Sequence, residues 1–79
     1  MKHIQEAWTS YMDEVIPKDA PTIQIQELKR AFVAGAKAIL EIVTQIGEDD
    51  ITEDQGVEIL ESIHEECRTF VKDVLEGRA

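Results

Sequence analysis

The chain has 79 residues, enough for one domain at most, and a chain this short buries only about 60–65% of its unfolded surface, so oligomerisation is a natural remedy for its thin core. Eight Lys and Arg against 17 Asp and Glu give a formal net charge of −9, which argues against direct binding to a nucleic-acid backbone while leaving room for a local basic patch. Cys67 is the only cysteine, so no internal disulfide exists and a reducing cytoplasm is the expected compartment.

Ile4, Trp8, Tyr11 and Val15 recur at steps of four, three and four, which predicts a short amphipathic helix over about residues 3–16. Glu6 stands where a secretory leader would need apolar residues, so no signal peptide is expected. Pro17 ends the helix. The following PKDAPT reads as a turn, because proline fixes φ, lacks an amide proton and biases its predecessor away from the helical region.

A second helix is expected over 22–46. Its opening TIQIQ alternates with period two, but from Leu28 the apolar seam Leu28, Phe32, Gly35, Ile39, Ile42 and Ile46 is regular, and Gly47 follows as a C-terminal cap. The longest apolar run, Ala31–Ala36, ends at Lys37 and falls far short of the roughly 20 residues that span a bilayer, so no membrane association is expected. Beside the seam, Ala31, Ala34, Gly35 and Ala38 form a stripe of small residues. Gly35 costs about 1 kcal/mol relative to Ala in a helix interior. Two explanations stand: close approach of the third helix or of a second copy, or space left for a ligand.

Thr52 and Gln55 have the spacing of a capping box, and Glu53 and Asp54 suit the positive end of a helix dipole, so a third helix is expected over 53–76. Leu60, Ile63, Cys67, Phe70 and Val74 form its seam, widened by Val57 and Val71, and Gly77 ends it. On this reading Cys67 is a small buried hydrophobe. Two helices of about 24 residues, each about 36 Å long, joined by a short loop predict an antiparallel hairpin. The first helix covers only part of it. The expected fold is therefore a single all-α domain over 1–79, a short N-terminal helix plus a long hairpin, dimerising into a four-helix-type core or a multiple of that unit.

Charge is unevenly distributed. Between Ala38 and Cys67 lie ten acids (Glu41, Glu48, Asp49, Asp50, Glu53, Asp54, Glu58, Glu61, Glu65, Glu66) and no Lys or Arg. Antiparallel pairing sets Gly35 opposite His64 and Ala31 opposite Arg68, gathering Lys29, Arg30, Arg68 and Lys72 toward the open end, where Trp8 and Tyr11 also lie. Against a built site stands the plain alternative that Arg68 pairs with Glu65 and Lys72 with Glu76 as ordinary surface contacts. Trp8 and Tyr11 likewise read as core anchors or as a stacking surface for a flat ring.

Motifs for catalysis are missing. The acids of 48–54 fail the calcium-loop pattern, since Gly56 at the sixth position puts Ile51 at the first. ESIH sets Glu61 and His64 on one face, as in carboxylate-bridged metal bundles, but the helix expected opposite offers Gly35 and Ala38 rather than a glutamate. His64 with Cys67 supplies too few zinc ligands. No P-loop, dinucleotide glycine fingerprint or nucleophile elbow occurs, so neither an enzyme nor a cofactor is expected.

AWTSYMDEVIP, then DAPTIQIQELKRAFVAGAKAIL, then ESIHEECRTFVKDVLEGRA together resemble small helical accessory proteins of tailed bacteriophages, over nearly the whole chain. The resemblance implies a viral accessory protein acting in the host cytoplasm, countering defence by binding a host protein or sequestering a nucleotide signal. Two functions follow as expectations. In the first, an oligomer binds a small anionic nucleotide at helix junctions, with Trp8 or Tyr11 stacking the base, Gln26, Lys29, Arg30, Arg68 and Lys72 holding phosphates, and Gly35 and His64 lining the space. In the second, the acidic end occupies a basic host protein in place of nucleic acid. A metal site at Glu61 and His64 is the third.

Overall fold

The computed structural model describes residues 1–48 and 50–79, and the regular elements among them are three helices and no strand: α1 (His3–Val15), α2 (Thr22–Ile46) and α3 (Glu53–Leu75). Asp49, one of the ten clustered acids, lies outside the described residues. The chain divides into two compact units, Met1–Ile42 and Val43–Ala79, with the boundary inside α2. Among the described residues no helix is long and apolar enough to cross a membrane.

In the first unit α1 docks on α2 through three aromatic rings. Trp8 meets Phe32 edge-on with centroids 5.5 Å apart, Tyr11 lies 5.6 Å from Phe32, and Trp8 and Tyr11 are 6.1 Å from each other. These separations fall in the range where aromatic pairs attract beyond their area burial. Trp8, at 2% exposure, and Ile16, at 9%, are the buried apolar side chains. The turn between the helices follows from its prolines. Ile16 still donates its amide to the Met12 carbonyl (3.2 Å) but is itself extended (φ −90°, ψ 128°), as a residue before proline must be. Ala20 N–H to the Pro17 carbonyl (3.1 Å) closes the turn, and Ile25 N–H to the Pro21 carbonyl (3.1 Å) opens α2. The period-two opening TIQIQ is thus helical. Helical spacing sets Ile25 with Leu28 and Phe32 on one half-buried face, whereas Ile23 stays 69% exposed.

The second unit is organised by a cap and a close contact. Thr52 Oγ1 accepts from Gln55 N–H (3.1 Å) while Gln55 Oε1 accepts from Thr52 N–H (2.9 Å), a complete capping box that satisfies two otherwise orphaned amides. One turn into α3, Gly56 is buried, and a Cβ built there would stand 2.8 Å from Ile46 Cγ2. Gly56 therefore lets the last turn of α2 lie against the first turn of α3. At the other end Gly77 adopts φ +77°, with Gly77 N–H to the Val74 carbonyl (3.1 Å) and Arg78 N–H to the Asp73 carbonyl (2.8 Å), which is a Schellman cap. Arg78 reinforces it with ion pairs to Asp73 (2.8 Å) and Glu76.

Two sequence expectations change here. Gly47 follows α2, but its φ is not positive, and the helix ends instead through tight turns, Gly47 N–H to Thr44 and Glu48 N–H to Gln45. Cys67 is exposed rather than buried. Most of its seam neighbours share that exposure: α2 holds no fully buried residue, α3 only Gly56, and Leu60, Phe70 and Val74 are exposed while Ile63 is half-buried.

Candidate anion-binding groove on the second helix

Gln26, Lys29, Arg30, Val33, Ala34 and Lys37 are spaced at three and one along α2, so they occupy one helical face, and they line an open groove of about 570 Å³ within the first unit. Val33 and the small Ala34 are its apolar lining, and Gln26, Lys29, Arg30 and Lys37 its polar lining. Lys29 is half-buried, whereas Arg30 and Lys37 are exposed. None of the three cations has an ion pair among the described residues. On a chain of net charge −9, three uncompensated cations on one helix face create a local positive potential. Arg30 can fork onto two phosphate oxygens, the lysines act as point charges, and the Gln26 amide can donate or accept.

The other sequence candidates lie elsewhere. Trp8 is committed to the core, with its ring edge on Phe32 and 2% of its surface exposed, so it offers no free face for stacking. Tyr11 packs on the same rings but keeps 39% of its surface open. Gly35 is exposed, does not line the groove, and has nothing within 4 Å of the position a Cβ would take.

His64, Arg68 and Lys72 belong to α3, in the second unit. His64 and Arg68 line a separate groove of about 620 Å³ with Glu58, Glu61, Ser62 and Glu65. Its balance is acidic, because Arg68 is already paired with Glu65 through Nη2 (2.8 Å) and Nε (3.2 Å). The ordinary surface pair thus accounts for Arg68, whereas Lys72 has no ion pair among the described residues. Glu61 and His64 share this groove, but among the described residues no group of three or more His, Cys, Asp or Glu is placed to hold a metal ion.

Sequence reasoning missed Lys37 and Val33, whereas Ala34 belongs to the small-residue stripe for which ligand space is one of the two explanations. The signal was present, since Lys37 follows Lys29 and Arg30 at eight and seven residues, the spacing of one helix face. Compared with family models, curated proteins and solved structures, the chain matches none, so its function has to be argued from its own residues.

Proposed function

We propose that this chain is a non-enzymatic binding protein that takes up a small phosphate-bearing ligand of the nucleotide class on the α2 groove, and that it works as a homo-oligomer, a dimer with a four-helix-type core or a multiple of it. The observation that carries the reading is a set of three cations, without an ion pair among the described residues, and one amide beside the apolar Val33 and Ala34. From Lys29 to Lys37 the face runs about 12 Å along the helix, long enough for a ring against Val33 with phosphates at the cations. The phage resemblance fits the same role as sequestration of a nucleotide signal in host cytoplasm. The oligomer is supported by exposed apolar side chains on both long helices, among them Val33, Ile39, Leu60 and Phe70.

The test is thermal melting at low salt against a panel of cyclic and linear nucleotides. A raised melting temperature with at least one of them is expected, and it should vanish in the Lys29→Glu, Arg30→Glu double variant. No shift with any nucleotide, or an equal shift in the variant, would sink the reading.

A second reading keeps the acidic surface as the binding element. All nine described acids between Ala38 and Cys67 are exposed, and Glu65 alone among them has an ion pair within the described residues. This reading requires salt-sensitive capture of a basic host protein, lost when Glu58, Glu61 and Glu66 are reversed to Lys. Capture that survives the reversal removes it.

A further inference from the structure

We propose that α3 pairs antiparallel with α3 of a second copy, crossing near Glu66 and Cys67, so that Glu61 and Glu65 of each copy face Lys72 and Arg68 of the other. The proposal rests on the homo-oligomeric part of the reading above and specifies its interface. At about 100° per residue, Val57, Leu60, His64, Cys67, Val71 and Val74 fall within a stripe about 100° wide on α3. Every member of that stripe is exposed, including Val57 at 53% and Val71 at 56%.

Charge selects the occupant and its direction. Beyond one edge of the stripe lie Arg68, Glu61, Lys72 and Glu65, at roughly 20°, 40°, 60° and 80° from it, acids toward the N-terminal side and cations toward the C-terminal side, with Glu58 and Glu76 farther out. In an antiparallel pair like edges meet, so this edge would face its own copy reversed, acids against cations. In a parallel pair it would meet the opposite edge, where Ile63 and Phe70 lie nearest the stripe, Glu66 lies farther out and no cation is present. Glu61 with Lys72 and Glu65 with Arg68 share the same midpoint, between Glu66 and Cys67. One register therefore satisfies both, and two-fold symmetry makes four pairs. The apolar residues agree to within half a residue. Leu60 falls against Val74 of the second copy, and Cys67 beside its own equivalent. The Glu65–Arg68 pair within each helix then joins its copy in a cluster of four alternating charges. Exposed ion pairs add little stability, but they set orientation, which is their role here.

The test is native mass spectrometry and sedimentation equilibrium on the full chain and three charge variants. The wild type should be oligomeric, while Arg68→Glu with Lys72→Glu, and Glu61→Lys with Glu65→Lys, should each weaken self-association at least tenfold. An equimolar mixture of those two variants should form the hetero-pair, and the fourfold swap in one chain should restore self-association to within about threefold of wild type. Restoration also excludes misfolding as the cause of the loss. A monomeric wild type would overturn the oligomeric reading and this interface together. An oligomer whose dissociation constant moves less than threefold in both double variants would overturn antiparallel α3 pairing alone.

Discussion

Gly35 and Gly56 are both helical glycines, and replacing each by Ala should have effects of opposite sign. Ala is favoured over Gly by about 1 kcal/mol in a helix interior, and at Gly35 nothing stands within 4 Å of the new methyl. Gly35→Ala should therefore stabilise by about 0.5–1 kcal/mol. At Gly56 the same methyl would lie 2.8 Å from Ile46 Cγ2, inside any tolerable carbon–carbon separation. That atom sits on the β-carbon of a branched residue in a helix, where one χ1 rotamer dominates, so it cannot swing aside without a rotamer change. Overpacking of this kind costs about 1–3 kcal/mol, which outweighs the propensity gain and leaves Gly56→Ala destabilising by about 1 kcal/mol. In a chain of this length that is a fall of about 4–8 °C in melting temperature. Circular-dichroism melts at low protein concentration read both variants. In an Ile46→Ala background the obstructing methyl is gone, and Gly56→Ala should become neutral or stabilising. If Gly56→Ala raises the melting temperature as much as Gly35→Ala, the close contact between the last turn of α2 and the first turn of α3 is wrong.

Three further outcomes follow from the same contacts. Trp8→Ala removes the most deeply buried large side chain and should cost about 3–5 kcal/mol, clearly more than Tyr11→Ala, by urea unfolding followed by circular dichroism. Thr52→Ala removes the acceptor for Gln55 N–H and should cost about 1 kcal/mol, whereas Thr52→Asn should retain most of the stability. Binding of a nucleotide at the α2 groove should weaken steadily as salt is raised, and Lys37→Ala should reduce that salt dependence while Gly35→Leu leaves affinity unchanged, by isothermal titration calorimetry.

Helices were the legible part of this chain because their signals are local. The seam from Leu28 onward, the stop at Pro17 and the Thr52–Gln55 spacing each depend on residues within a turn or two of one another, and each appears as a helix, a helix end or a cap. Contacts between helices were less legible. Gly35 drew attention because it interrupts a heptad seam, yet the close approach is at Gly56, and nothing in the spacing around Gly56 says that Ile46 will lie against it. Trp8 and Tyr11 read first as core anchors, with a stacking surface as the alternative, and the position of Phe32 bears out the core role for Trp8. Cys67 and its seam neighbours read as buried because amphipathic periodicity marks a face that seeks a partner, without saying whether the partner is in the same chain. The basic face was half visible. Lys29 and Arg30 stand adjacent, but Lys37 joins them only when helical periodicity is applied to the cations as well as to the apolar residues.

The most direct measurement of the central claim is native mass spectrometry of the protein purified at low salt from cells that produce it, before and after addition of the nucleotide panel. The account predicts an oligomer carrying a nucleotide-class small molecule, retained from the cell or taken up from the panel, and an empty oligomer for the Lys29→Glu, Arg30→Glu variant. Wild-type protein that stays empty against the whole panel, or a variant that carries the same molecule at the same occupancy, would contradict it.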